Sequence, residues 1–186
     1  MFNFYKAIAF AVLSVVLAYI SRASLRAPRS HGFYRFFAWE FILVLILLQI
    51  DVWFRAPWSW HQMISWFLLL ASLVPLAFGI RSLRLGGKPV KHREAEPQLL
   101  AFEKTSSLVT SGIYRYIRHP LYSSLLFLNW GVFFKAPGLV GALPALGATL
   151  CLFATAKADE AECLLFFGPS YREYMKRTKM FVPFAF

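Results

Sequence analysis

Five apolar runs separated by short polar segments constrain this 186-residue chain more than any other feature. They cover residues 2–20, 33–50, 62–80, 121–134 and 136–156. A helix rises about 1.5 Å per residue, so the third run is long enough for a hydrocarbon core of about 30 Å. Inside a bilayer each backbone N–H and C=O must find its partner within the protein, and for separate runs of this length that means helices. The expected fold is an all-α integral membrane protein of one domain, residues 1–186, with about five transmembrane helices.

The composition excludes an ordinary soluble domain: 59% of residues are hydrophobic and 16% charged, with a mean hydropathy of +0.55. A net charge of +11 raises the question of nucleic acid, and the placement of the charges answers it. With five crossings, seventeen of the twenty basic residues fall on one face, leaving Lys6, Arg55 and Lys135 on the other. Positive residues favour the cytoplasmic side, so the expected orientation is N-terminus outside and C-terminus cytoplasmic, in the inner membrane if the cell is prokaryotic. Nucleic acid is not an expected partner, and no obligate protein partner is implied. Arg22, Arg26 and Arg29 follow the first run instead of preceding it, which reads as a retained span and not a signal peptide.

Within this frame several residues have structural readings. Glu40, near the start of the second run, is expected to snorkel, and Trp53, Trp58 and Trp60 to form an interfacial belt. Pro75 and Pro144 are expected to bend their helices. Gly138, Gly141 and Gly147 are assigned to packing of the fifth helix against the fourth. The fourth run is only 14 residues, below the roughly 17 of a full crossing. Residues 81–110, broken by Gly86, Gly87, Pro89 and Pro97, are expected to cover something.

Two polar clusters stand out. Residues 111–122, SGIYRYIRHPLY, gather Tyr114, Tyr116, Tyr122, Arg115, Arg118 and His119 immediately around Pro120. Pro120 suits the first position of a helix, whose free N–H groups and positive end would then lie beside Arg118 and His119, a place to hold an anion. The plain alternative is that these residues anchor a membrane helix at headgroup level. The second cluster, Lys157, Asp159, Glu160 and Glu162, follows the fifth run directly. Acids at such a boundary serve neither topology nor lipid contact, and together the clusters would cradle a zwitterion. The chain after them is expected to continue the fifth helix, break at Gly168-Pro169 and form a second short helix. Glu160, Leu164 and Phe167 share one stripe, and Tyr171, Tyr174 and Thr178 another, which would equally suit a helix lying on lipid. Cys151 and Cys163 suggest no disulfide, and no zinc pattern, P-loop or dinucleotide fingerprint is present.

The pattern resembles the isoprenylcysteine carboxyl methyltransferase family, in a superfamily of integral membrane methyltransferases that also includes phospholipid methyltransferases. The similarity lies in a Gly-x-Tyr-Arg-x-x-Arg-His-Pro-x-Tyr signature, here Gly112, Tyr114, Arg115, Arg118, His119, Pro120 and Tyr122. It continues in a pair of acids, then Phe-Gly, two spaced tyrosines and a terminal proline: Asp159, Glu160, Phe167, Gly168, Tyr171, Tyr174 and Pro183. It covers roughly residues 79–186. The chain departs from the pattern at Asp159, where a glutamate is usual, at Lys157, usually arginine, and at Met180, usually basic.

The resemblance implies S-adenosylmethionine as cofactor, bound by cytoplasmic segments 81–120 and 157–186, the latter helical. It assigns cofactor binding to Tyr114, Arg115, Arg118, His119, Pro120, Tyr122, Asp159 and Glu160, with Arg118 and His119 as the catalytic candidates and no metal. The acceptor it implies is a lipophilic or lipidated molecule among membrane lipids, foremost the carboxylate of an isoprenylcysteine-like or isoprenoid acid. N-methylation of a phospholipid amine or S-methylation of a lipophilic thiol keeps the cofactor and changes the acceptor. A nonenzymatic scaffold or transporter would share the spans and leave the paired clusters without a purpose. A structural role for His119 is the plain alternative to a ligand role.

Overall fold

The computed structural model describes residues 3–86 and 107–182. The parts of the expected covering segment at 87–106 and of the C-terminal pattern at 183–186, Pro183 included, lie outside the described residues. The described chain is all-α apart from one isolated bridge. Its α-helices are α1 (Phe4–Ile20), α2 (Arg22–Leu25), α3 (His31–Gln49), α4 (Trp60–Gly86), α5 (Pro120–Phe133), α6 (Leu139–Phe167) and α7 (Pro169–Arg177). Among the described residues, three helical stretches are long and apolar enough to cross a membrane: His31–Val52, Trp60–Gly86 and Leu139–Phe167. With the shorter apolar α1 beside them, they make this an integral membrane protein with several apolar helices.

Local chemistry sets the helix ends. Asn3 caps α1 by accepting from the Lys6 N–H, and Ser30 caps α3 by accepting from the Phe33 N–H. Pro120 and Pro169 occupy first-turn positions of α5 and α7, where the missing N–H costs nothing. Gly168, at φ 57° and ψ −132°, separates α6 from α7 in a conformation a side chain would strain.

The principal pairs are α3 with α6 and α4 with α5. A Cβ on Gly147 would lie 2.9 Å from the Phe41 ring, and one on Gly141 3.1 Å from the Gln49 amide, both on α3. Gly147 therefore admits α3 closely, a correction to its assignment against the fourth helix; Gly141 lies between the two, with a Cβ also 3.6 Å from the Phe133 ring of α5, and a Cβ on Gly138 would meet nothing within 4 Å. Gly131 of α5 does the same for α4, where a Cβ would lie 3.0 Å from the Leu69 side chain.

Glu40 stands at the middle of α3, not near a helix end as the apolar run implies, because the helix begins at His31. Its carboxylate accepts from Ser14 of α1 at 2.6 Å, an interhelical bond in place of snorkelling. At one end of the bundle Lys6 pairs with Asp51, Gln49 donates to the Ala136 carbonyl and Gln62 binds Lys135. The start of α3, the start of α5 and the last turns of α6 meet at the other end.

Candidate functional site

The second end is assembled by a chain reversal. After α7 the backbone runs alongside residues 116–119: Arg118 N–H donates to Lys179 O at 2.8 Å, Lys179 N–H to Tyr116 O at 3.1 Å and His119 N–H to Met180 O at 3.1 Å. Ser123 reinforces the join, its hydroxyl contacting the carbonyl oxygens of His119 and Phe181 at 3.0 and 2.8 Å. Gly112 turns the chain before this segment at φ 62°, pressed so closely on Ser82 that a side chain there would clash.

The two clusters meet directly. Arg118 directs Nε and Nη2 at Glu160 Oε1, each at 2.8 Å, and Nη1 at the carbonyl oxygens of Met175 (3.3 Å) and Thr178. Lys157 Nζ approaches Glu160 Oε2 at 3.3 Å. His119 Nδ1 lies 3.4 Å from Asp159 Oδ2 and Nε2 lies 3.6 Å from Glu160 Oε1, ion-pair separations longer than good hydrogen bonds. Tyr122 donates its hydroxyl to Asp159 Oδ2 at 3.3 Å and stacks its ring on His119, with centroids 5.3 Å apart. His119 is buried, and its Nε2 has no hydrogen-bond partner among the described residues. Burial pushes the imidazole pKa down, but the Asp159 and Glu160 carboxylates outweigh it and hold the value above the ordinary one.

Of the other residues singled out in the sequence, Tyr114 is buried and its carbonyl accepts from the Tyr174 hydroxyl at 2.6 Å. Burial raises the pKa of the Tyr171 and Tyr174 phenols, keeping them neutral. Tyr171, Tyr174 and Thr178 all face inward, so that stripe packs on protein. Arg115 is exposed, outside the group formed by Arg118, His119, Tyr122, Asp159 and Glu160. Pro120 is buried at the start of α5.

One participant is not signalled by local sequence. His31, the first residue of α3, directs its N–H at Glu162 Oε1 (2.8 Å) while its Nδ1 lies 2.5 Å from Glu162 Oε2. The pair ties α3 to α6 one turn from Asp159, across 131 positions of chain. A serine cap before His31 is the one cue to its place, and it gives no hint of the partner.

Among the described residues, one cavity borders the cluster at Arg118 and a second lies deeper, on the far side of Phe181. One, of about 390 Å³, is lined by Arg118, Phe153, Lys157, Met175, Thr178, Lys179 and Met180. The other, of about 470 Å³, lies among α4, α5, α6 and the final segment, with Leu68, Leu126, Trp130, Phe153 and Phe181 in its wall. Among the described residues, the lining of the first includes Arg118, Lys157 and Lys179 and no acid, and that of the second is almost wholly apolar. Among the described residues no set of His, Cys, Asp and Glu is arranged to hold a metal ion. No family model, curated protein or solved structure matches the chain.

Proposed function

We propose that this protein is an S-adenosylmethionine-dependent methyltransferase acting on a lipophilic acceptor at the cytoplasmic membrane face, akin to the isoprenylcysteine carboxyl methyltransferases it resembles. The observation that carries the reading is the convergence of Arg118, His119 and Tyr122 with Asp159 and Glu160, drawn from two distant motifs to one end of an apolar bundle. An anchoring role for either motif requires no such meeting.

The donor set fits the cofactor. His119 Nε2, buried and without a hydrogen-bond partner among the described residues, and the first-turn N–H groups of α5 suit its carboxylate. Lys157 and Lys179 add positive charge on the cavity wall. Asp159 and Glu160 suit its ammonium and ribose hydroxyls, and the faces of Tyr114 or Tyr122 suit a sulfonium. Arg118 holds Glu160 in place and turns Nη1 to the carbonyls that end α7. When bound, the cofactor supplies an electrophilic methyl group.

Methyl transfer is an in-line displacement, so the chain's main tasks are alignment and exclusion of water. A carboxylate acceptor needs no general base, whereas an ammonium must first lose a proton. The apolar cavity supports a lipophilic acceptor reaching the cluster from within the bilayer, while the cofactor arrives from the cytosol. This orientation, with five crossings and a cytoplasmic C-terminus, follows the charge distribution.

The test is transfer of a labelled methyl group from S-adenosylmethionine to an extracted lipophilic acceptor by the full chain in a bilayer. Wild type is expected to transfer, and His119→Ala and Glu160→Ala to fall at least about a hundredfold, the scale of losing one preorganised electrostatic contact. A product labile to mild base identifies an ester; a stable one identifies N- or S-methylation. No transfer by wild type overturns the enzymatic reading, and undiminished transfer by both variants overturns the site.

A further inference from the structure

We infer that His31 is a positioning residue of the candidate site: with Glu162 it fixes the rotation of the last turns of α6 and so aims Asp159 at His119. The inference rests on the methyltransferase reading only for the purpose of that aim, since the geometry itself involves no cofactor. Asp159 is loosely held by the groups it faces. His119 Nδ1 lies 3.4 Å from its Oδ2, the Tyr122 hydroxyl 3.3 Å from the same oxygen and the Cys163 thiol 3.7 Å from Oδ1. The two contacts to Oδ2 are long for bonds that would fix a carboxylate. Shorter ones stand on either side of it. Glu160 Oε1 receives Arg118 at 2.8 Å, while Glu162 receives the His31 N–H at 2.8 Å on one oxygen and meets His31 Nδ1 at 2.5 Å on the other. At about 3.6 residues per turn, successive side chains stand about 100° apart, which places Asp159 between Glu160 and Glu162 around the helix. One clamp would leave these turns free to rotate about it; two clamps, to different neighbours, do not.

The start of α3 is suited to this contact. His31 is its first residue, so its N–H is among those the helix leaves without an internal acceptor; Ser30 takes the N–H of Phe33, and Glu162 takes that of His31. A carboxylate there also meets the positive end of the helix. The His31 side chain is 1% exposed, which fixes the anchor to which Glu162 is tied. Deeper in the bundle α3 and α6 are already in close contact where Phe41 covers Gly147, so the pair governs the turns of α6 beyond that contact. Its charge reaches Asp159 as well: burial pushes the Asp159 carboxyl up, but His119 and then His31 outweigh it and bring its pKa down to about 2. Placement and charge have opposite consequences for His119, which is faced by Asp159 and Glu160 from α6, by Tyr122 from its own helix and by Phe181 from the final segment, with Arg118 beside it in the chain. Moving Asp159 away takes an acid from His119 and lets the imidazole pKa fall. Removing the His31 charge with Asp159 left in place takes away a cation and lets it rise.

The test is the titration of His119 in the full chain, without cofactor, in lipid nanodiscs, followed by NMR of isotope-labelled histidine rings. The chain has four histidines, and His119→Gln identifies the signal. His31→Leu, which keeps bulk and loses the side-chain donor, is expected to bring the His119 pKa down toward its ordinary 6.5. His31→Asn carries no charge but sets an amide N–H at about the place of Nδ1, and is expected to keep the value at or above that of wild type. His31→Gln, whose amide stands at about the place of Nε2, is expected to behave like His31→Leu and replaces it if His31→Leu does not fold. Ser14→Ala, which cuts a bond between α1 and α3 away from the site, is expected to leave the titration unchanged. A His119 pKa that stays or rises in folded His31→Leu or His31→Gln overturns the positioning role. So does an equal fall in His31→Asn, or in Ser14→Ala, where it would mean a general loosening. With cofactor, turnover per folded molecule in His31→Leu is expected to fall about ten- to a hundredfold and to recover in His31→Asn, the scale reached when a reacting group is misplaced by about 1 Å. Absence of methyl transfer by wild type would overturn the enzymatic reading and leave the titration result in force; normal transfer with an unmoved titration would overturn the positioning role alone.

Discussion

Lys135 at one end of the bundle and the Arg118–His119 pair at the other are buried cations held in different ways; Lys6, at the Lys135 end, has a largely exposed carboxylate partner in Asp51. At one end Lys135, 1% exposed, has its ammonium 3.5 Å from the centre of the Trp66 ring and 5.0 Å from that of Trp53, and donates to Gln62 Oε1 at 3.0 Å. The Gln62 amide is itself engaged with the carbonyls of Val52 and Lys135. At the other end Arg118 and His119 meet carboxylates, beside a cavity, and His119 Nε2 has no hydrogen-bond partner among the described residues. Aromatic faces and amides enclose a cation with no exchangeable counter-charge, which serves to hold a loop. Carboxylates beside a cavity keep charges that a ligand can exchange for its own. The second arrangement is the one expected of a site.

The sharpest way to break this contrast is to remove one carboxylate. Glu160→Ala leaves Arg118 without its ion-pair partner, and loss of a partner from a buried pair costs about 3–5 kcal/mol. A large fall in unfolding temperature in detergent, together with loss of methyl transfer, is expected. A fall in neither would mean that the two motifs meet without mattering to each other.

A smaller effect, confined to stability, is expected at the opposite end. Lys135→Met keeps most of the bulk but strands Gln62 Oε1 and removes the contacts to Trp53 and Trp66. The orphaned amide oxygen alone costs about 1–3 kcal/mol. The measurement is thermal unfolding beside turnover per folded molecule; a variant of normal stability and reduced turnover would reverse the roles assigned to the two ends.

The finest test uses pH. The folded pKa of His119 is raised above its ordinary value of 6.5, so the folded state binds the proton more tightly than the unfolded one. Its contribution to stability is therefore complete below that ordinary value and is lost as pH rises through the raised folded value. Unfolding of wild type and His119→Gln, compared across that window, should show the difference in stability shrinking as pH rises. A constant difference would mean that His119 acts through packing alone. Lys135→Met, which leaves His119 and both carboxylates in place, should retain the wild-type slope.

Much of the architecture and part of the candidate site follow from local sequence. The apolar runs specify long helices because an apolar segment in a bilayer must satisfy its own backbone. Pro120, Gly168 and Pro169 mark helix boundaries because their backbones permit few other roles there. The clustering of Arg118, His119, Asp159 and Glu160 near the ends of apolar runs is likewise visible in sequence order. Which of these groups touch was decided by tertiary structure, since contacts between distant segments depend on the rotation and depth of whole helices. Only the return of the chain after α7 joins Lys179 and Met180 to residues 116–119. Only the rotation of α6 puts Asp159 toward His119 while Glu162 reaches His31. The same rotation turns Gly147 to α3 and sets Gly141 between α3 and α5, because a glycine offers a place for close approach and carries no information about which helix will fill it.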